Sequence, residues 1–553
     1  MAEFAPPLLR VLSLWRPRAP WLLAGGVISL AALASGVALM GLSGGLVAGL
    51  LAGGGAGLLV VPFLLRLLGP ARVVLRYLER LIGHEATFRA LADLRVWFFR
   101  GLTRSAAGGL GFRRAGDLLA RLVGDVEALD GLYLRLLLPL AGAVLLEGAL
   151  LVLLWPLHPL VAIAVATLFG LAAFALPLQA ARASSAAAGR LTVAQAGLRI
   201  AALDATTGLR EVRAFGAEGR MLARVQAREA ALLAAQREVA WQGARATAVA
   251  FLAGQFALLF LLVLAATREV GPAGGMVAGL FLAVAAFEAI APLARAGITA
   301  GHAAAAARRV IAAAEAPPPV ADPEHPAAPP TGSTLTFEDV RFRWRPDRPA
   351  VFDGLTLEIP QGARVALLGP SGAGKSSLAA LALKVAAPQS GRVLIGGVDL
   401  ATLDAATVRS RIAWLSQSTH LFDDSIRANL LLARPDADEA ALWAALEAAR
   451  LADFVRALPD GLDTWLGEGG AGVSGGQGRR LALARVLLSS APILMLDEPC
   501  TGLDAETERA FMATLNDVAR GRTLVLIAHR LTGVERIDRI WRLSAGRAVA
   551  AAR

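Results

Sequence analysis

Lysine is almost missing from this chain: of 55 Lys and Arg residues, only Lys375 and Lys384 are lysines. Cysteine occurs once, at Cys500. A single thiol excludes an internal disulfide and excludes dithiol redox chemistry by this chain acting alone. Charge is also scarce, with 18% charged residues against 56% hydrophobic ones, the balance of a membrane protein. The net charge of +11 would suit a nucleic-acid binder. No nucleic-acid partner is expected, however, because the arginines fall in particular loops between apolar runs. A cleavable leader is not expected either. Arg10, Arg16 and Arg18 precede the first apolar run, which continues as a span without a convincing cleavage site.

What is present in quantity is long apolar sequence. Runs near 20–42, 46–70, 132–155, 157–179, 247–267 and 274–298 are long enough to cross a bilayer of about 30 Å. The second is the weakest, because Pro62, Arg66, Arg72, Arg76 and Arg80 interrupt it. Arginine is dense around 89–121 and 182–245. The turn Pro156–Pro159 has none, and the turn before Met276 has only Arg268. Positive loops stay in the cytoplasm, so the N-terminus is expected there, and six spans return the chain to that side. Residues 1–316 thus read as a six-span helical domain, 317–331 as a proline-rich linker and 332–553 as a second domain. In the second domain Thr334–Phe337, Arg364–Leu368 and Ile493–Leu496 read as strands of an α/β core.

Gly369-Pro370-Ser371-Gly372-Ala373-Gly374-Lys375-Ser376 matches the phosphate-loop pattern, and Ser377 follows it. Its glycines let backbone N–H groups wrap phosphates; the lysine reaches the β and γ phosphates, and the Ser376 hydroxyl is a Mg²⁺ ligand. A chain that uses arginine nearly everywhere keeps lysine here because a compact ammonium fits where a planar guanidinium does not. Ile493–Leu496 is an apolar strand ending in Asp497 and Glu498, a carboxylate pair suited to holding Mg²⁺ and orienting an attacking water.

Ser474-Gly475-Gly476-Gln477 resembles the signature of the ABC class of ATPases. Four further matches stand in that family's order: Gln417 in the Q-loop, Asp504 in the D-loop, His529 as the switch histidine, and Trp344 where an aromatic residue stacks on adenine. The resemblance implies that Glu498, His529 and Lys375 are catalytic and that Ser376, Gln417 and Asp497 surround Mg²⁺. It also implies that Ser474–Gln477 act on ATP bound by a second subunit. The fold implied is that of a type IV exporter: an α-helical six-span transmembrane domain, then an α/β P-loop nucleotide-binding domain. Gly116–Arg121 continuing through Asp125–Asp130, and Gly208–Gly216, are similar to the coupling helices of that group.

Four stretches resemble a narrower family, the CydC-type subunits of the heterodimeric thiol-reductant exporter. They are Arg76–Arg89, Leu129–Arg135, Ala286–Pro292 and Thr464–Gly470. This likeness implies a bacterial inner-membrane transporter subunit surrounded by lipid and paired with a CydD-type chain. It would use ATP and Mg²⁺ to export cysteine or glutathione to the periplasm in support of cytochrome bd assembly. Two alternatives of the same architecture stay open: a haem transporter or haem-regulated exporter with haem b bound, and a homodimeric lipid or drug exporter.

Helical spacing puts Arg72, Arg76, Arg80 and His84 on one face, with Tyr77 on that side. Such a face suits a glutathione carboxylate or a haem propionate, with His84 as a candidate iron ligand. The plainer reading is a solvated, positive helix end. Glu147 and Glu288 lie within apolar spans, where carboxylates line a translocation path or pair with an arginine.

Overall fold

A computed structural model describes residues 5–51, 60–109, 124–267, 273–417, 419–467, 470, 472–500 and 505–551. It divides into two units, one built chiefly from helices up to Ala316 and the other from Pro317 onward.

The first unit is helical because continuous apolar runs of this length satisfy their backbone groups in lipid within each segment, as helices. Its helices are α1 (Ala5–Leu14), α2 (Ala19–Leu51), α3 (Val60–Gly109), α4 (Leu138–Leu154), α5 (Pro159–Gly170), α6 (Leu176–Thr207), α7 (Leu209–Ala214), α8 (Glu218–Thr267), α9 (Ala273–Ile290) and α10 (Leu293–Ala314). Short π-helical turns, Leu132–Leu137 and Leu171–Ala175, lead into α4 and α6. Among the described residues, five helical segments are long and apolar enough to cross a membrane: Arg16–Leu50, Leu132–Leu154, Pro159–Ala183, Glu218–Leu264 and Gly275–Ala314. The described part of α3 is not among them, since Arg66, Arg72, Arg76 and Arg80 lower its hydropathy.

Two boundaries differ from the sequence expectation. The expected break at 42–46 is absent, and α2 runs on to Leu51. Glycine is tolerated there because it lets helices touch: a Cβ on Gly44 would come 2.8 Å from Cβ of Phe281 on α9. The expected span 274–298 falls in one membrane-length segment, Gly275–Ala314, but that segment runs beyond 298 and is divided by a turn at Ala291 and Pro292, between α9 and α10. Proline removes a helical donor and disfavours helix in the residue before it. Gly297 on α10 sits so close to α6 that a Cβ would meet Pro177 O at 1.9 Å. Ion pairs brace this unit, with Arg18 2.6 Å from Asp93 and Arg309 2.6 Å from Asp125.

The second unit holds two sheets. One has the order β2 (Phe352–Ile359), β1 (Leu335–Phe342), β4 (Ser390–Ile395) and β5 (Val398–Asp399), all antiparallel. The other has the order β10 (Arg547–Ala551), β9 (Arg539–Ser544), β3 (Arg364–Leu368), β8 (Thr523–Ala528), β7 (Ile493–Asp497) and β6 (Ile412–Leu415). Its strands are parallel except β10. β7 and β8 are buried at every position, as continuous apolar strands covered on both faces must be. β1 is longer than the expected Thr334–Phe337. It passes an irregularity near Asp339, whose φ is 45°, and its polar second half does not read as strand from composition. The helices that matter for the site are α11 (Lys375–Ala382) and α12 (Gly475–Leu488).

Candidate ATP-hydrolysing site

The parallel strands deliver the nucleotide motifs to one edge of the sheet, where α/β proteins place ligands. β3 ends at Leu368, the loop Gly369–Gly374 follows, and α11 starts at Lys375. Gly372 and Gly374 have φ of 81° and 100°, in the left-handed region. A Cβ on Gly374 would lie 2.7 Å from Val351 and 2.8 Å from Phe352, so both torsion and space require glycine. The turn directs loop N–H groups and the start of α11 to one point, an anion cradle. Lys375, 7% exposed, donates to Gly369 O at 2.6 Å and Pro370 O at 3.2 Å. Its ammonium is therefore held within that cradle by the loop's own carbonyl oxygens.

Ser376 Oγ lies 3.3 Å from Asp497 Oδ2. Burial pushes the Asp497 carboxyl above its ordinary range, while the bond to Ser376 and the charge of Lys375 act in the opposite direction. A buried carboxylate beside a hydroxyl is an oxygen donor set that fits Mg²⁺, and a cation would offset the cost of desolvation. Ser376 and Asp497 are the residues that would hold it, while the Gln417 amide donates to Glu498 instead; bound there, Mg²⁺ would neutralise phosphate oxygens.

Glu498 follows with φ of 50°, an unusual conformation for a non-glycine residue and a feature of functional sites. One carboxylate oxygen is 2.8 Å from His529 Nε2, and the other accepts from Gln417 Nε2 at 3.3 Å. Two residues far apart in sequence, Gln417 and His529, thus meet on the Glu498 carboxylate. Trp344 reaches the same region from beyond β1. Its Nε1 donates to Ser377 Oγ at 2.9 Å, and its ring packs edge-on against Phe342 with centroids 5.1 Å apart.

Ser474 is the N-cap of α12. Its Oγ accepts from Gln477 N at 3.3 Å, and its own N–H donates to Gln477 Oε1 at 2.8 Å, a complete capping box. Gly475 and Gly476 form the first turn, so the helix presents donors on a small, side-chain-free surface. Ser474 and Gln477 bond to each other and not to the phosphate-loop group. Asp504 lies outside the described residues, as does the stretch 116–121.

Arg479 is the site residue that sequence reasoning missed. It is 6% exposed, and it donates to the carbonyl oxygens of Ser416, Gln417, Asp497 and Glu498. One guanidinium therefore ties the Q-loop to the end of β7. Burial lowers its pKa despite the nearby carboxylates, but guanidinium remains charged throughout the physiological range. The only sequence signal was an arginine two residues beyond Gln477, inside an apolar helix repeat.

In the membrane unit, Arg76, Arg80, His84 and Arg135 line one cavity of about 350 Å³ with Glu79 and Asp130. Tyr77 is exposed and outside its wall. The His84 ring lies 5.8 Å from that of Phe88. A second cavity of about 280 Å³ includes Arg72, Arg76, Glu79 and Glu288. Glu147 lies elsewhere, with its carboxylate against α5, where a Cβ on Gly170 would meet Oε1 at 2.7 Å.

A bundle of membrane-length helices joined to this phosphate-loop ATPase defines an ATP-driven transporter of exporter architecture. The chain belongs to the ABC transporter family, matching its transmembrane-region model over residues 22–291 and its ATPase model, described as ABC transporter, over residues 352–501. It is 34% identical to the glutathione/L-cysteine transport system ATP-binding/permease protein CydC of Escherichia coli, over 96% of this chain and 94% of that one. The CydD protein of the corresponding system in Bacillus subtilis is 32% identical over 89% of this chain and 86% of its own. An ATP-dependent lipid A-core flippase of Ralstonia nicotianae is 46% identical, but over only 39% of this chain and 37% of the flippase. A bacterial Atm1-family ABC exporter with ATP bound superposes with a TM-score of 0.86 at 27% identity, covering 96% of this chain and 94% of the exporter.

Proposed function

We propose that this chain is the CydC-like half of a heterodimeric exporter that moves cysteine or glutathione to the periplasm and so supports cytochrome bd assembly. The observation that carries this reading is the likeness to a glutathione/L-cysteine system over 96% of the chain, against 39% for a lipid flippase. The partner is a CydD-type half-transporter, and the N-terminus and ATPase unit face the cytoplasm of an inner-membrane protein.

In this reading the loop Gly369–Ser376 binds the phosphates and Lys375 keeps its ammonium within them. Glu498 orients and deprotonates the attacking water, and His529 and Gln417 hold that carboxylate in place. These contacts already exist at 2.8 and 3.3 Å. Ser474–Gln477 complete the site of the partner, because the start of α12 offers unpaired donors to an anion. Asp504 is assigned to the same interface. Trp344 supports the adenine by stacking. Gly208–Gly216, which includes α7, transmits the ATPase cycle to the spans.

The test is ATP hydrolysis by the chain with its partner in lipid nanodiscs, titrated with cysteine, glutathione and haem, alongside uptake of labelled thiol into inverted vesicles. ATP-dependent thiol uptake with thiol-stimulated hydrolysis is expected. Stimulation by haem alone, with no thiol uptake, would overturn the cargo assignment and leave the ATPase assignment standing.

A further inference from the structure

The cavity of about 280 Å³ between α2, α3, α4 and α9 has an unusual electrostatic composition for a membrane-spanning bundle. Arg72 and Arg76 stand on its α3 wall and Glu288 on its α9 wall. Among the described residues, none of these three side chains has a hydrogen-bond or ion-pair partner. Glu79 in the same wall is occupied, accepting from Ser29 Oγ at 2.8 Å. Charges of both signs therefore share one cavity without neutralising each other. Arg76 and Glu288 are exposed and Arg72 is half-buried, so these charges stand open to a ligand or to water, which would supply the missing counter-charge.

Two further features support a built site. Gly36 makes room for Arg72, since a Cβ there would come 3.1 Å from Arg72 Nε and 3.2 Å from Cζ. Glu288 lies one turn before the break at Ala291 and Pro292, so the C-terminal, electronegative end of α9 adds to its carboxylate. Interrupted helices at cavity walls are where transporters build ligand sites. The remaining wall, including Val37, Met40 and Leu146, is apolar.

We propose that this cavity binds a small zwitterionic amino-acid-type solute, its carboxylate on Arg72 and Arg76 and its ammonium on Glu288. The uncharged part of the solute packs against Val37, Met40 and Leu146. A single-signed ligand leaves one wall unsatisfied, whereas a zwitterion bridges both. The choice of cysteine as probe rests on the thiol-export reading; the charge pattern does not.

The experiment is equilibrium binding to the full transporter in nanodiscs of phosphatidylcholine and phosphatidylglycerol. Four probes are compared: cysteine, serine, N-acetylcysteine without the ammonium, and cysteamine without the carboxylate. In Glu288→Gln, cysteine is expected to weaken by at least about tenfold while N-acetylcysteine keeps its affinity, which also reports that the variant is folded. Arg76→Gln is expected to weaken cysteine and N-acetylcysteine but spare cysteamine. Glu288→Asp, which keeps the charge, is expected to restore most of the discrimination. Equal loss of all probes in Glu288→Gln, or no loss of any, overturns the site. Thiol transport that persists unchanged in both charge-removing variants also overturns the site, while the thiol-export reading survives. If serine binds as tightly as cysteine, with the same variant pattern, and no thiol is transported, the site stands and the thiol reading fails. In a second preparation with phosphatidylethanolamine added to the nanodiscs, binding of that lipid without binding of any free amino acid overturns the assignment to a soluble ligand.

Discussion

At the scale of single residues, the site is organised around Glu498. Its carboxylate gathers Gln417 and His529, and its backbone is strained at φ of 50°. Replacing Glu498 with Gln keeps the shape but removes the base. ATP hydrolysis is expected to fall by at least about 100-fold while nucleotide binding persists, as measured by phosphate release and by a fluorescent ATP analogue. Arg479 acts through others. Arg479→Leu would remove the donor shared by the carbonyls of Ser416, Gln417, Asp497 and Glu498, of which the bond to Asp497 is buried. A loss of roughly 2–4 kcal/mol is expected in thermal or denaturant unfolding, with kcat falling more than the KM for ATP rises. Cys500 is a titration probe of the same core. Burial, aided by Glu508 and Glu535, pushes its thiol up to about 12. The fold therefore favours the protonated thiol, and alkylation at pH 8 should be far slower in the folded protein than in denaturant. As pH rises above the unfolded value of about 8.5, the unfolded chain releases a proton the fold retains, so stability declines toward pH 12. Iodoacetamide labelling read by mass spectrometry checks this.

At the scale of elements, close packing through small residues decides where the membrane helices lie. Gly297 is the sharpest case, since α10 meets the backbone of α6 where a side chain would stand. Gly297→Ala is expected to cost about 1–3 kcal/mol by forcing the helices apart, seen as a lower melting temperature in detergent. Lys384, the second of only two lysines, has an element-level task. It follows α11, is 3% exposed, and its ammonium bonds to Leu403 O and, at 3.2 Å, to Asp322 of the linker. Asp322 also accepts from Ala405 N at 2.9 Å. The linker is therefore strapped to the ATPase unit by one buried charge. Each lysine in this arginine-rich chain is buried and donates to a main-chain carbonyl oxygen, a place that suits a small ammonium.

At the scale of the whole molecule, the ATPase site made by one chain is incomplete in the proposed cycle, because Ser474 and Gln477 at the start of α12 bond to each other and not to the phosphate loop. Hydrolysis by the isolated chain is expected to be low and to rise with protein concentration, reaching its plateau only with the partner half-transporter. Ser474→Arg in this chain should suppress turnover at the partner's nucleotide, measured by pairing it with a partner whose own glutamate is intact. A rate per chain that is independent of concentration and unchanged by the partner would overturn the dimeric cycle.

The sequence by itself determined the class of protein. Apolar runs of membrane length, the loop Gly369–Ser376 and the strand ending in Asp497 and Glu498 are local patterns, readable because each depends on residues adjacent in the chain. Helix limits were less legible. The glycines near 44 read as a break but serve packing against α9, and Pro292 divides a run that hydropathy alone joins. Only the tertiary structure decided which distant residues meet: Gln417 and His529 on Glu498, Arg479 under the Q-loop, and Arg72 and Arg76 across a cavity from Glu288. It also separated Glu288, on a cavity wall, from Glu147, packed against α5. The reason is physical. Local pattern specifies which face of an element is apolar, whereas the pairing of charges depends on the packing of elements that are far apart in the chain.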